Sequence, residues 1–258
     1  MLPALRTARH SVQTPKFPSY NTTATPVVFL HNRRVWRLYS SAAAVSKEIP
    51  NDDTATPTTS PSGAIKPLSD SQKQFLDSAL RINHAGELAA TLIYTSQTPP
   101  LVRSHPHLRP LMAHMYDQEA GHFSTFSELL AKHRIRPTMM YPVWVAAATA
   151  LGWSTGVMGR EAAMACTEAV ETEIGGHYNE QVRELLAWAE NAKEEGKWEG
   201  LGVEMKQLLS TLRRIRDEEL EHLDHAVEND AKEAKPYELL TNVIRAGCRG
   251  AIWISSRV

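Results

Sequence analysis

The sequence is poor in cysteine, with only two in 258 residues, Cys166 and Cys248. Their separation of 82 positions excludes a disulfide-stapled small fold and a cysteine-based zinc knuckle. The sequence also lacks the Gly-x-Gly-x-x-Gly, P-loop and His-Glu-x-x-His motifs. These absences exclude a Rossmann nucleotide-binding domain, a P-loop phosphate site and a zinc-protease helix. The scarcity of cysteine favours a reducing compartment.

Acidic residues are missing from the first 47 positions, which contain seven Lys or Arg. This composition, which is also rich in Ser and Thr, is typical of a mitochondrial presequence. The run Arg37-Leu38-Tyr39-Ser40 resembles a matrix-processing site, so we predict a presequence over residues 1–39. A secretory signal is disfavoured because no uninterrupted apolar core follows a basic start. A disordered basic tail is the remaining alternative.

The rest of the chain is acidic, with 21 basic and 29 acidic side chains between residues 48 and 258, a net charge of −8. Such a body offers no electrostatic basis for binding nucleic acid, because neutralisation of phosphates dominates that affinity. Residues up to about 66 are rich in Ala, Ser, Thr, Pro and Asp and show no hydrophobic period. We therefore predict a flexible linker over residues 40–68 and a folded domain over residues 69–258.

Within the domain, apolar residues recur at helical spacing, and alternating β-branched runs are few. This pattern predicts an all-α fold. The pair Pro99-Pro100 is predicted to separate the first two helices, and the Glu- and Lys-rich stretch 191–200 to form a loop. The predicted helices are 70–97, 106–133, 160–190, 200–230 and 236–254.

Residues 137–159 carry no charged side chain. Three interpretations remain open for this segment: a bilayer-spanning helix, buried core, or a segment that dips into one leaflet. The last predicted helix interleaves apolar side chains with Arg245 and Arg249, as an interfacial helix does, although docking on the bundle is an alternative. Gly152-Trp153-Ser154-Thr155-Gly156 matches the nucleophile-elbow pattern, but no strand precedes it, so we reject that interpretation.

Two predicted helices, 106–133 and 200–230, carry a Glu-x-x-His pair within the apolar stripe that should face inward. Met112, Met115, Tyr116, Phe123, Phe126 and Leu130 form the first stripe. A buried carboxylate is costly unless a cation compensates its charge. Each pair is preceded by a helix that carries a Glu among small or apolar neighbours. The resulting candidate metal ligands are Glu87, Glu119, His122, Glu171, Glu219 and His222.

This donor set, one Glu from each of two helices and a Glu-x-x-His from each of the other two, is typical of di-iron carboxylate bundles. Four carboxylates would neutralise two divalent irons, whereas thiolate or all-nitrogen sites would suit zinc or copper better. Glu168 or Glu173 could replace Glu171, because both flank it on the same helix. Three further acids lie off the stripe and are predicted to be solvated: Asp217, Glu218 and Glu221.

Residues 70–258 resemble the demethoxyubiquinone hydroxylase family of ubiquinone biosynthesis. Six runs carry the resemblance: Asn83-His84-Ala85-Gly86-Glu87, Asp117-Gln118-Glu119-Ala120-Gly121-His122, Ala163-Met164-Ala165-Cys166-Thr167, Glu171 with His177-Tyr178-Asn179, Arg216-Asp217-Glu218-Glu219-Leu220-Glu221-His222, and Ala246-Gly247-Cys248-Arg249. The sequence departs from the family at Asn83, where an Asp is usual, and in a longer loop around 191–200.

The resemblance implies a ferritin-like four-helix bundle with additional membrane-associated helices, on the matrix face of the mitochondrial inner membrane. It implies two Fe ions per chain on the six ligands, with Glu171 preferred over Glu168. The expected reaction hydroxylates the ring of a polyprenyl demethoxyubiquinone with O₂, and NADH is the expected electron donor. From their positions shortly after Glu171, His177 and Tyr178 are expected beside the metal ligands or in a proton or electron relay, and packing with hydrogen bonding in the bundle is the open alternative. A lipid-binding protein is the expected partner, and a homo-oligomer remains open.

Two other functions are alternatives to hydroxylation. An iron-oxidising or iron-storing relative of ferritin would use the same ligands without an organic substrate. A metal-free scaffold of the ubiquinone assembly complex would not need them. The uncharged 137–159 segment and the basic last helix favour the hydroxylase, because a soluble cage subunit requires neither.

Overall fold

The computed structural model describes residues 68–194 and 202–258, and these residues contain six α-helices. The helices are α1 (Asp70–Ser104), α2 (Arg109–His133), α3 (Tyr141–Met158), α4 (Arg160–Glu194), α5 (Gly202–Glu228) and α6 (Tyr237–Ser255). The predicted presequence, most of the predicted linker and most of the predicted 191–200 loop lie outside the described residues.

Helices α1, α2, α4 and α5 form a four-helix bundle, in which α1 packs against α2 and α4 packs against α5. Helix α3 packs along α1, and α6 packs against α4 and α1. The predicted all-α bundle with additional helices is therefore confirmed. Helix α3 corresponds to no predicted helix, since the sequence left three interpretations open for 137–159.

The first helix begins at the predicted residue, Asp70, but its predicted end at residue 97 is wrong. Ser69 caps α1 through its hydroxyl group, which accepts from the Gln72 N–H, while the Gln72 side chain accepts from the Ser69 N–H. The helix then continues through Pro99 and Pro100 to Ser104. Leu101 and Val102, beyond the prolines, are buried, so tertiary packing outweighs the local break.

Two glycines let α3 lie directly on the backbone of α1. A Cβ atom on Gly152 would lie 2.5 Å from the carbonyl oxygen of Ile93, and one on Gly156 would lie 2.9 Å from that of Gln97. The glycines are four residues apart and so face the same side of α3. The Gly-x-Ser-x-Gly pattern thus serves close helix packing.

The faces of α3 and α6 that point away from the bundle expose large apolar side chains. Trp153 and Val157 on α3, and Leu239, Val243 and Trp253 on α6, each expose more than half of their surface. Residues 137–159 are therefore only partly buried, which corrects the buried-core interpretation. Contrary to the spanning interpretation, none of the described helices combines the length and hydropathy needed to cross a bilayer.

Two apolar clusters fill the bundle on either side of its centre. One contains Leu80, Phe126 and Leu185, and the other contains Tyr94 and Met112. The predicted stripe of α2 is buried at most positions, but the predicted inward position of Tyr116 is wrong, because its side chain is 38% exposed. On each of the four helices the candidate metal ligands lie between residues of these two clusters.

Candidate metal centre

The six predicted ligands meet at the centre of the bundle, and each exposes at most 2% of its surface. Their donor atoms form two compact groups. One group contains Glu87, Glu119, His122 and Glu219, and the other contains Glu119, Glu171, Glu219 and His222. Because Glu119 and Glu219 belong to both groups, the geometry accommodates two cations that share these two carboxylates.

The inward nitrogen of each histidine lies among carboxylate oxygens. The Nδ1 atom of His122 is 3.0 Å from Glu219 Oε1 and 3.4 Å from Glu87 Oε2. The Nδ1 atom of His222 is 3.0 Å from Glu119 Oε1 and 3.2 Å from Glu219 Oε2. Ring nitrogens and carboxylate oxygens at these separations are close enough to bind one cation together.

The outer nitrogen of each histidine faces a polar partner from the opposite helix. His122 Nε2 lies 2.6 Å from Glu218 Oε2, and His222 Nε2 lies 2.9 Å from Gln118 Oε1. When Nε2–H donates to these oxygens, the Nδ1 lone pair points at the carboxylates and requires a proton or a metal between them. The predicted solvation of Glu218 is therefore wrong, since its carboxylate bonds to His122 and Arg214.

The electrostatics of the site reflect the crowding of four buried carboxylates. Burial, and then the neighbouring charge of Glu219, raise the pKa values of Glu87, Glu119 and Glu171. Burial opposes ionisation of Glu219 as well, but the neighbouring imidazoles outweigh it and lower the pKa of this carboxyl group to about 2. Burial by itself lowers the pKa of His122, yet the surrounding carboxylates raise it.

Unpaired polar atoms indicate which kind of ligand the site can hold. The six side chains contribute eight buried oxygen or nitrogen atoms that lack a well-aligned hydrogen-bond partner among the described residues. Buried polar atoms are rarely left in this state. Two divalent cations would satisfy these atoms and balance four carboxylate charges. The oxygen-rich set with two imidazoles is also a donor set that iron accepts.

Two tyrosines occupy equivalent positions relative to Glu87 and Glu171. Tyr94 lies seven residues after Glu87, and Tyr178 lies seven residues after Glu171. One half of the bundle is α1 with α2, and the other is α4 with α5. Each hydroxyl group binds the glutamate of the other half: Tyr94 donates to Glu171 Oε1 at 2.9 Å, and Tyr178 donates to Glu87. The two halves of the bundle therefore exchange the same contact.

The structure separates Glu171 from the acids that flank it. Glu168 accepts hydrogen bonds from Lys232 and Tyr237, which tie the α5–α6 connection to α4. Glu173 binds Arg245 of α6 at 2.7 Å. Of the three acids, Glu171 alone belongs to a group of potential metal ligands in the described part of the chain.

An apolar cavity of about 380 Å³ adjoins the site between α1, α3, α4 and α6. Its wall includes Glu87 and Tyr178, which border the metal-binding groups, and His177. None of the other five predicted ligands lines it. Its remaining wall is mainly aliphatic, with Leu151, Ile174 and other small or branched side chains.

A polar network supports His177 at the cavity wall. Gln181 Nε2 lies 2.7 Å from both His177 Nε2 and Asn83 Oδ1, and Asn83 Nδ2 donates back to Gln181 at 2.9 Å. Asn83 thus pairs amide to amide. An aspartate at this position could accept from Gln181 but could not donate to it.

The sequence reasoning overlooked the partners of the candidate ligands, namely Tyr94, Gln118 and Glu218. The pattern of a Glu followed by a Glu-x-x-His pair occurs twice in the sequence, and comparison of its two copies could have revealed them. Gln118 and Glu218 each directly precede the Glu of a Glu-x-x-His pair, and each contacts the histidine of the opposite pair. The Glu-x6-Tyr spacing was likewise readable in both halves.

Comparison with known proteins matches this architecture to a described family. The family model for "Ubiquinone biosynthesis protein COQ7" matches residues 74–255. The chain is 47% identical over 191 residues to the Saccharomyces cerevisiae protein named "5-demethoxyubiquinone hydroxylase, mitochondrial", covering 74% of this chain and 82% of the relative.

Similar relatives occur in animals and bacteria. The Bos taurus protein named "NADPH-dependent 3-demethoxyubiquinone 3-hydroxylase, mitochondrial" is 41% identical over 191 residues, covering 74% of this chain and 82% of the relative. The Rhodospirillum rubrum protein named "3-demethoxyubiquinol 3-hydroxylase" is 38% identical over 183 residues, covering 71% of this chain and 78% of the relative. The similarity spans the helices that carry the candidate centre.

Proposed function

Because this chain belongs to the COQ7 family of ubiquinone biosynthesis proteins, we propose that it hydroxylates the ring of a polyprenyl demethoxyubiquinone. The observation that carries the proposal is the meeting of four carboxylates and two histidines beside an apolar cavity. One atom of O₂ enters the ring C–H bond as a hydroxyl group, and the other leaves as water. A reduced nicotinamide supplies the two electrons.

The six central side chains are proposed to hold two irons, with Glu119 and Glu219 common to both. Glu87 and His122 complete the set for one ion, and Glu171 and His222 complete the set for the other. When bound, the irons supply the activation of O₂ that the side chains lack. The contacts of His122 with Glu218 and of His222 with Gln118 hold each ring nitrogen towards the centre.

The cavity is proposed to hold the quinone ring and the first part of its tail. Its volume of about 380 Å³ lies within the range of ordinary ligand pockets. The aliphatic wall suits a polyprenyl chain, and exclusion of water by such a wall favours reaction of the ring over side reactions. Since Glu87 is the ligand that lines the cavity, the ring approaches the centre from the Glu87 side.

His177 and Tyr178 are proposed to act between the cavity and the metal ligands. Tyr178 holds Glu87 by its hydroxyl group and also lines the cavity, so its proton lies between substrate and ligand. Burial lowers the pKa of His177, which keeps the imidazole neutral and able both to donate and to accept a proton. The Asn83–Gln181 pair holds that ring in place.

The electron donor is proposed to be a reduced nicotinamide cofactor. The family resemblance implies NADH, whereas the names of the mammalian relatives specify NADPH. Both cofactors carry the same reducing group and differ by the 2′-phosphate. Oxidation of each, measured in parallel with formation of the hydroxylated quinone, distinguishes them through the ratio of kcat/KM.

The protein is proposed to act in mitochondria, as the names of its eukaryotic relatives specify for them. We further propose that it binds the matrix face of the inner membrane through the exposed apolar faces of α3 and α6. These two helices also form part of the cavity wall, so the same surface would admit a membrane-embedded quinone. A lipid-binding protein that presents the substrate is the proposed partner.

The experiment that tests the function is quinone profiling by mass spectrometry in cells that depend on this chain. Glu219→Ala removes a carboxylate common to both groups and is expected to cause accumulation of demethoxyubiquinone and loss of iron from the purified protein. Glu128→Ala, which changes an exposed glutamate of α2, is the matched control and should leave both readouts unchanged.

The two alternative functions give different results in this experiment. A metal-free scaffold retains quinone hydroxylation in the Glu219→Ala cells. An iron-storage protein loses its iron in Glu219→Ala without any accumulation of demethoxyubiquinone. Either result would contradict the hydroxylase.

A further inference from the structure

A second group of metal-binding side chains lies on the surface of the bundle, where α2 faces α5. It consists of His114 on α2 and of Glu221 and His225 on α5, and the donor atoms of all three lie within 4.8 Å of one another. Glu221 and His225 are four residues apart and share one face of their helix. His114 and Glu221 are half exposed, so solvent and ions reach them.

We propose that His114, Glu221 and His225 form a binding site for one divalent cation of the zinc(II) and iron(II) class. This site is separate from the candidate centre in the interior, and it does not depend on the proposed hydroxylase activity. Two imidazoles and a carboxylate are donors that these borderline cations prefer. The fourth position is left to water, because three protein ligands are present.

The distances fit a cation of this size. Zinc binds nitrogen and carboxylate oxygen at about 2.0–2.2 Å, so two ligands of one tetrahedral ion lie roughly 3.4 Å apart. In the structure, Glu221 Oε1 lies 3.5 Å from His225 Nε2 and 3.9 Å from His114 Nε2. The donor atoms of the two histidines lie within 4.8 Å of each other. Rotations of three partly exposed side chains would bring all three donor atoms to the separation that one ion requires.

His225 directs its two ring nitrogens towards different carboxylates. Its Nε2 faces Glu221, while its Nδ1 lies 3.8 Å from Glu228 Oε2. A proton on Nδ1 would face Glu228, which leaves the Nε2 lone pair for a cation. At 3.8 Å this contact is longer than a hydrogen bond, so Glu228 acts on the ring through its charge alone.

A pair at the other end of the same two helices shows the contrasting arrangement. His133 lies 3.6 Å from Glu204 Oε1, but Lys132 already contacts the same oxygen at 2.7 Å. The Lys132 ammonium group neutralises Glu204 there. The ion pairs recorded for Glu221 in the described residues are with the two histidines of the surface group.

A cation at this site would tie α2 to α5, the two helices that carry the Glu-x-x-His pairs. Glu221 directly precedes His222 in sequence but points outward, whereas His222 is fully buried. A ligand that binds the folded chain alone stabilises it in proportion to the logarithm of its concentration. Zinc(II) is therefore expected to raise the unfolding temperature through the surface group.

The test is a titration of the purified full-length protein, with its interior metals in place, using Zn²⁺ alone. Bound zinc and retained iron are counted by elemental analysis. The wild type is expected to gain one zinc per chain with iron unchanged. His114→Ala and His225→Ala are expected to bind that zinc at least about tenfold more weakly, since loss of an outer-shell partner alone weakens a site about 10–100-fold. His133→Ala is the matched control and should bind zinc as the wild type does.

Two results would overturn the proposal. One is equal zinc binding by the wild type and by both histidine variants. The other is zinc uptake only in exchange for iron, unaffected by His114→Ala. Glu221→Gln, which keeps the size of the side chain and removes its charge, provides a second variant. The zinc-dependent rise in unfolding temperature should be absent in Glu221→Gln and retained in His133→Ala.

Discussion

At the scale of single residues, the candidate centre is built from two copies of one set of contacts. Glu171 accepts a hydrogen bond from Tyr94, and Glu87 accepts one from Tyr178. Each histidine contacts the residue that directly precedes the Glu of the other Glu-x-x-His pair. The copies differ in one partner, since His122 faces the carboxylate of Glu218 and His222 faces the amide of Gln118. They also differ in access, because only the Glu87–Tyr178 side lines the cavity.

This one-sided access predicts unequal roles for the two tyrosines. Tyr178→Phe removes a hydroxyl group at the cavity wall, so we expect hydroxylation to fall about 10–100-fold while iron content is retained. Tyr94→Phe removes the equivalent hydrogen bond to Glu171 away from the cavity and is the matched control. We expect it to reduce kcat much less, as measured by quinone product formation. Equal losses of kcat in the two variants would contradict the relay.

His84 gives a prediction for stability, because burial lowers the pKa of its imidazole to about 4. The unfolded chain binds a proton at His84 near pH 6.5, whereas the folded chain does so only near pH 4. The contribution of neutral His84 to the free energy of unfolding is therefore fully present above pH 6.5 and is lost as the pH falls towards 4. At pH 5 the loss amounts to about 2 kcal/mol.

The measurement is urea unfolding at pH 7 and pH 5. His84→Phe is expected to lose less free energy of unfolding than the wild type on acidification, by about the same 2 kcal/mol. An unchanged pH dependence in His84→Phe would contradict burial as the cause.

At the scale of helices, packing overrides two local signals. Pro99 and Pro100 do not end α1, since Leu101 and Val102 bury their side chains beyond them. The uncharged 137–159 segment forms α3, whose glycine face lies on α1. Both effects depend on contacts between helices that are distant in sequence. Local propensity is a weak guide under those conditions.

The α1–α3 contact predicts a large effect of one methyl group. In Gly152→Ala the new Cβ would overlap the Ile93 carbonyl oxygen, and backbone cannot rotate away as a side chain can. We expect the free energy of unfolding to fall by about 1–3 kcal/mol. Denaturant unfolding monitored by circular dichroism provides the measurement.

Gly176→Ala is the matched control for this substitution. A Cβ atom at Gly176, within α4, would meet no atom within 4 Å. Alanine is favoured over glycine inside a helix by up to about 1 kcal/mol, so this variant should be equally or more stable than the wild type. Equal destabilisation by both substitutions would contradict the close α1–α3 contact.

At the scale of the whole molecule, the candidate metal ligands, the cavity and the exposed apolar faces follow one another from the interior outward. Helix α6 contributes Ile244 and Ile252 to the cavity wall and exposes Leu239 and Trp253. Its Arg245 and Arg249 bind Glu173 of α4, which holds α6 against the bundle. This arrangement places a basic and apolar surface beside the proposed substrate cavity.

That surface predicts binding to lipid vesicles. In Leu239→Ser combined with Val243→Ser, two side chains that are each more than 60% exposed lose their apolar groups. We expect partitioning onto vesicles that contain anionic phospholipid to fall by about tenfold or more. Co-sedimentation with the vesicles measures the bound fraction.

The control uses the same pair of substitutions on α5. Leu220→Ser combined with Val203→Ser changes exposed apolar side chains outside α3 and α6. This variant should partition as the wild type does. Equal loss of binding in both variants would show that general surface hydrophobicity, and not the α3 and α6 faces, determines membrane association.

The sequence by itself determined the helical periodicity, the start of the folded region at Ser69 or Asp70, and the inward position of Glu87 and of both Glu-x-x-His pairs, because helical spacing forces i and i+3 residues onto one face and buried charges require compensation. Periodicity alone left Glu168 and Glu173 as alternatives to Glu171. Only the tertiary structure decided which residues complete the site. Tyr94, Gln118 and Glu218 act across the bundle, so their partners lie at distant positions that no local pattern specifies. The tertiary structure likewise decided that α1 continues beyond its prolines, that α3 lies on α1, and that a cavity forms beside the site, since packing between distant segments creates all three.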